Sequence, residues 1–252
     1  MQEPPKLSLL DIIGHHAEAK SMETWLTKIV EHPKAASLFK TNPKKPEFAE
    51  FYLSLCLQFL QSHGSLENTT LGIYVSLNGL PETVWQSLFS PTSGVAPNSL
   101  WRVYRSALFG LDFAVRNRNT LGIEIAIEAE MRLISQPQSQ EKRALPDSEL
   151  FFLHYEHSKE KGAKQPPLND LDKLAACPCK SRLYIGRIAA QGKYWIERVK
   201  KAIASRINDD PRCLRKGDQF WIILAITGGK KSYTIGHTHE FGEEMPKFVW
   251  SY

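Results

Sequence analysis

No run of apolar residues in this chain approaches 18, so the sequence offers no segment that would cross a bilayer as a helix. Cysteine is scarce: four residues, Cys56, Cys177, Cys179 and Cys213. Cys177 and Cys179 form a C-P-C triplet, too close for an ordinary mutual disulfide, and the spacing to Cys213 is not that of a zinc module. Reduced thiols in a cytoplasmic protein are the simpler expectation. Nucleotide-binding and hydrolase signatures are missing as well. There is no G-x-x-x-x-G-K-[ST], no G-x-G-x-x-G and no G-x-S-x-G, which argues against a P-loop ATPase, a Rossmann cofactor site and α/β-hydrolase chemistry. The opening residues, MQEPPKLSLLDIIGHH, lack a charged region followed by a long apolar one, so no secretory leader is expected. No internal repeat is visible.

What is present is a core-forming composition. Of 252 residues, 42% are hydrophobic and 23% charged, enough for one large globular domain or two small ones. The net charge is a modest +5, but its distribution is uneven: Lys180 to Lys216 holds eleven Lys/Arg against three acids. Such a stretch attracts polyanions through Coulomb attraction and counterion release, and nucleic acid is the commonest polyanionic partner. A solvated helix face is the plainer alternative.

Periodicity divides the chain into a helical first part and a mixed second part. Apolar spacing predicts a helix over 21–39 with a break near Pro33, and a buried helix over 46–62 with Pro46 in its first turn. A short helix follows near Pro81, and NSLWRVYRSALFGLDFAVRNR reads as another strong helix capped by Asn98 or Ser99. TLGIEIAIEAEMRLI is ambiguous between strand and helix: Ile123, Ile125 and Ile127 alternate, but Ala and Glu then accumulate. Residues 135–148 are polar, contain two prolines and form the best linker. Beyond it come a strand (ELFFLHYEH), a loop, a short helix (LDKLAA), a strand (RLYIGRI), a basic amphipathic helix (GKYWIERVKKAIASRI) and two strands around a GGKK turn. The expected fold is therefore α+β. A helical recognition or assembly part would cover 1–134, and a small α/β domain with an antiparallel sheet would cover 149–252.

Within that second part, Tyr184-Ile185-Gly186 followed by Arg198 on the basic helix resembles the GIY-YIG nuclease family. The resemblance covers roughly 149–244. It implies a three-stranded antiparallel sheet with tyrosines on its first two strands, an arginine on the next helix and a downstream glutamate holding a divalent metal. Carried onto this sequence, Tyr155 and Tyr184 would position or activate water, Arg198 would bind the scissile phosphate, and Glu240 would hold Mg2+. LFFLHYE contains Tyr155 but no GIY, and a literal Gly72-Ile73-Tyr74 lies too far upstream to pair with the second element. Where some members carry a histidine one turn after the arginine, this chain has Ala202. Arg182, Arg187, Lys193, Lys200, Lys201 and Arg206 would contact the nucleic-acid backbone.

Other patterns carry less. TTLGIYVSLNGLPETVWQSLF loosely resembles a helix-turn-helix around Gly79, but its second helix lacks Lys or Arg, and LGIYVSL also suits a strand. His237 and His239 lie at i and i+2, on one face of a strand, which suits a polar strand end better than a metal site. A PD-(D/E)xK carboxylate pattern would start at Pro146-Asp147, and no E-x-K follows there. The expected function is thus a nucleic-acid transaction, with a metal-dependent endonuclease as the concrete form. The alternatives are a non-enzymatic nucleic-acid-binding subunit of a bacterial mobile-element, plasmid or phage-defence system, and a protein-interaction factor.

Overall fold

The computed structural model describes residues 69–76, 100–136, 140–143, 169–189, 193–209, 213–227, 233–239 and 245–251, together with positions 26, 27, 52, 53, 55–57, 59, 60, 63, 66, 82 and 146. The helices expected over 21–39 and near Pro81, the strand ELFFLHYEH and the GGKK turn lie wholly or largely outside these residues.

Eight described strands form a single mixed sheet. In chain order they are β1 (Leu71–Val75), β2 (Trp101–Tyr104), β3 (Phe113–Asn117), β4 (Ile123–Ile134), β5 (Cys179–Ala189), β6 (Gln219–Thr227), β7 (Tyr233–His239) and β8 (Lys247–Trp250). Their spatial order is β2-β1-β3-β4-β5-β6-β7-β8. Among the described residues the helices, in chain order, are α1 (Gln140–Arg143), α2 (Asn169–Ala176) and α3 (Lys193–Asn208), besides the helical positions before β2.

This overturns the expected fold class. The chain is not a helical part followed by a small antiparallel sheet. The region read as a long helix from Asn98 supplies β2 and β3, and the ambiguous segment after it is the 12-residue strand β4. The helical reading followed apolar spacing through Leu108 and Leu111. Ser106 to Gly110 instead turns the chain, and the flanking pairs Trp101/Val103 and Phe113/Val115 alternate at period two. Pairing to both edges of β1 then decides for strand, because β preference is realised through cross-strand packing rather than by the backbone alone. The linker expected at 135–148 falls between β4 and β5, which are parallel neighbours in the one sheet. β5, the strand with the YIG triplet, is flanked by parallel partners on both sides, unlike the antiparallel sheet that the GIY-YIG resemblance implies.

The two faces of the sheet carry separate apolar cores. Ile73, Val115, Ile125, Ile127, Leu183, Ile185 and Ile223 face one side, where the helical residues Leu53, Leu57 and Leu60 cover them. Ala126, Tyr184, Ile188, Ile222 and Leu224 face the other, under Leu171 and Leu174 of α2 and Trp195, Val199 and Ile203 of α3. Parallel neighbours need a crossover connection. In β4-α2-β5 and β5-α3-β6 both helices lie on this second face. The C-terminal aromatics close the far edge: Phe248 packs edge-on to Phe220, and Trp250 Nε1 donates to the Lys200 carbonyl at 2.9 Å.

At Gly236 of β7 an added Cβ would overlap the Phe248 ring and lie 2.9 Å from Cε3 of Trp250. Two rings cannot yield like a flexible chain end, so Gly236→Ala should destabilise the protein by about 1–3 kcal/mol in urea unfolding.

Candidate functional site

The expected site residues do not form an open site. Tyr184 is on β5 with its side chain fully buried in the second core. Arg198 is also buried, and it donates to the carbonyl of Arg143 at 2.5 Å. Tyr155 and Glu240 lie outside the described residues.

The basic residues are mostly engaged within the fold. Arg182 is 1% exposed and donates through Nη2 and Nε to the Cys177 carbonyl at 2.7 and 3.1 Å, with Asp218 3.4 Å away. Arg206 grips Asp172 at 2.5 Å, tying α3 to α2. Lys200 pairs with Glu197 at 3.3 Å and lies over the Trp250 ring, while Arg187 is half-buried. Of the six cations proposed to meet a phosphate backbone, Lys201 is exposed, and the side chain of Lys193 is outside the described set. Charge counting could not foresee this, because it does not distinguish a solvated guanidinium from one that binds a backbone carbonyl.

The four cysteines are buried free thiols. His237 stacks on Trp221, with ring centroids 4.8 Å apart. Among the described residues no three His, Cys, Asp or Glu side chains converge as a metal cluster.

A different constellation stands out where β4 outruns β3. Strand β3 begins at Phe113, opposite Ile127, so from Glu128 onward β4 has no strand partner on that edge among the described residues. The next N–H pointing that way, of Ala129, donates instead to the Asp112 carboxylate at 3.1 Å. Continuing the register by one residue sets Asp112 opposite Glu128. On the other edge Glu128 is in register with Tyr184 and Glu130 with Gly186, and the pairing with β5 becomes irregular between Glu130 and Leu133. Glu124, Glu128 and Glu130 share the face with Ala126, and all three are buried. Glu124 has its own cation, Lys180, at 2.8 Å.

Helix α2 brings Lys173 over this row. Its ammonium lies 2.7 Å from Glu128 and 3.3 Å from Asp170, and donates to the Gly110 carbonyl at 2.8 Å. The electrostatics are those of a crowded acid pair. Burial, then the neighbouring Asp112, pushes the Glu128 carboxyl from its ordinary 4.5 up to about 9. Burial also raises Asp112, to which Asp170 adds, against the opposing hydrogen bond from Ala129. Burial alone would lower Lys173, but the hydrogen bond and charge of Glu128, with Asp170, outweigh it and raise the ammonium. Tyr52, from the helical residues on the other face, is raised by burial and feels Cys56, Asp112 and Glu128.

Two carboxyl groups brought side by side in a largely buried corner are the kind of oxygen donor set that a hard divalent ion takes. Magnesium commonly takes one or two protein carboxylates and keeps several waters, so Asp112 and Glu128 would hold it. The acids stand in the sequence at Asp112 and Glu128-Ala129-Glu130, without the E-x-K of the PD-(D/E)xK pattern, but their convergence is not legible there. It was hidden because Asp112 sat in an expected helix.

Comparison with family models, curated proteins and solved structures returned no match.

The raised pKa of Glu128 fixes a pH dependence. An unfolded glutamate loses its proton near 4.5, whereas folded Glu128 keeps it to about 9. The stabilisation is therefore complete below the unfolded value and is lost as pH rises through that window. In metal-free buffer the wild-type Tm should fall from pH 5 to pH 9 more steeply than that of Glu128→Gln. Millimolar Mg2+ at pH 8 should raise the wild-type Tm and leave Asp112→Asn/Glu128→Gln unmoved.

Proposed function

We propose that this chain acts on nucleic acid as a magnesium-dependent phosphodiester hydrolase, with Asp112, Glu128 and Lys173 as its working groups. The observation that carries the reading is the acid pair at the β3/β4 step with an ammonium 2.7 Å from Glu128. Metal supplies charge stabilisation and a more acidic water in such reactions. Asp112 is oriented by the Ala129 amide, so it presents its second oxygen in a fixed direction. Glu128 is buried at 1% exposure, whereas Lys173, at 32%, and Asp112 are partly exposed. Lys173 is placed to meet a non-bridging phosphate oxygen and to neutralise the charge that builds there as water attacks phosphorus. Its three N–H donors reach Glu128, Asp170 and the Gly110 carbonyl, so the contact to phosphate would take over the donor now spent on Glu128 once that carboxylate turns to the metal.

The reaction class is the one the GIY-YIG resemblance implies, carried by different residues. Tyr184 is common to both readings only as the register neighbour of Glu128. Binding of nucleic acid without cleavage is the principal alternative, and salt dependence reports on it directly, since phosphate contacts weaken steeply between low and moderate salt.

Purified protein should nick plasmid or cut single-stranded DNA in Mg2+. Asp112→Asn and Glu128→Gln should abolish cutting, and Lys173→Ala should slow it about 10²–10³-fold. Tyr184→Phe and Arg198→Ala should change the rate only as far as they change the folded fraction, monitored by circular dichroism. Cleavage lost in Arg198→Ala with an intact fold, and retained in Glu128→Gln, would return the chemistry to the GIY-YIG residues. Salt-sensitive gel shifts without cleavage would leave a binding protein.

A further inference from the structure

The chain turns at Leu108–Leu111, immediately before Asp112. Leu111 N–H donates to the Leu108 carbonyl at 3.1 Å, and these two residues form an isolated antiparallel bridge. Both central residues have positive φ: 54° at Phe109 and 71° at Gly110. A turn of this kind favours Asn-Gly or Gly-Gly, since a side chain with positive φ meets its own backbone. Gly110 meets that demand and Phe109 does not. The strain is not offset by packing, because Phe109 is 71% exposed, the second most exposed of the large hydrophobic side chains described. A strained residue whose ring contributes nothing to the core calls for a role outside folding. Its position supplies one: the carbonyl of the next residue, Gly110, holds Lys173, and Asp112 follows two residues later.

We infer that Phe109 is a stacking platform for an unpaired base of the substrate, next to the phosphate engaged by Lys173. This rests on the hydrolase reading and extends it to a substrate class, single-stranded or locally unpaired nucleic acid. Aromatic rings hold bases without regard to sequence, through a π-face that every base presents. The turn is stiffened by its own hydrogen bond and by Lys173, so the ring would meet the base from a fixed direction relative to the acid pair. Contact between ring and base also compensates in the complex for strain that is uncompensated in the free protein.

Leu121 provides an internal control. It too has positive φ, 62°, and is 60% exposed, but it lies in the turn between β3 and β4, at the other end of β3 from Asp112. The test measures binding of a single-stranded oligodeoxynucleotide containing 2-aminopurine, with Ca2+ replacing Mg2+. Tm and Mg2+-dependent cleavage are recorded on the same samples. Phe109→Gly should raise Tm yet weaken binding roughly 5- to 150-fold, with loss of the 2-aminopurine stacking signal. Phe109→Trp should keep both affinity and signal, and Leu121→Gly should raise Tm with binding unchanged. Wild-type affinity in Phe109→Gly would overturn the platform while leaving the hydrolase reading intact if cleavage persists. An equal loss in Leu121→Gly would overturn it too, by assigning the effect to turn rigidity. No binding by the wild-type protein to single-stranded or duplex probes would remove both readings together.

Discussion

Strand β4 is 12 residues long, and its neighbour β3 is five. That mismatch organises much of the molecule. Along its first half β4 has partners on both edges, antiparallel β3 and parallel β5, and both faces are buried. Past Ile127 the β3 side has no strand partner among the described residues, and a backbone N–H there has to be satisfied by something else. Asp112 does so. Once that carboxylate is fixed beside Glu128, two acids share one poorly hydrated corner, and α2 must bring a cation to it. The crossover that joins two parallel strands therefore also delivers Lys173. A connection required by topology and a charge required by electrostatics arrive on the same helix.

The remaining charged groups obey the same demand for compensation. Buried Glu124 has Lys180, buried Arg182 has the Cys177 carbonyl and Asp218, and Arg198 has the Arg143 carbonyl. Arg182 and Arg198 are thereby removed from the surface inventory that composition advertised, while Lys180 remains exposed. The basic segment is in good part a set of internal fasteners between strands, helices and the connection after β4. What distinguishes the Asp112–Glu128 corner is that burial, with the charge of Asp112, holds the Glu128 carboxyl well above the usual carboxylate range even with Lys173 in place. Structural ion pairs normally settle both partners in their charged forms.

Legibility in the sequence followed the locality of the signal. The strands Leu183–Ile188 and Phe220–Ile226 and the amphipathic helix through Trp195, Val199 and Ile203 were readable, because their patterns complete themselves within one element. The described residues of the buried segment after Pro46 are helical, as their spacing predicts. Residues 98–118 misled, since Trp101, Leu108, Leu111 and Val115 are compatible with a helical stripe until β1 is known to lie between Trp101–Tyr104 and Phe113–Asn117. The YIG triplet was read correctly as strand. Its tyrosine, however, faces a core assembled under α2 and α3, the crossover helices before and after its strand, and that burial is not written in the triplet.

By itself the sequence determined the alternation of apolar residues, the spacing of acids along Ile123–Ile134 and the concentration of cations after Lys180. These are properties of neighbours along a chain. Only the tertiary structure decided which edge of β4 is left without a strand, which acid meets which across strands, and which cations turn inward. Those outcomes depend on register and crossover. A shift of one residue would have turned Glu128 to the opposite face, away from α2.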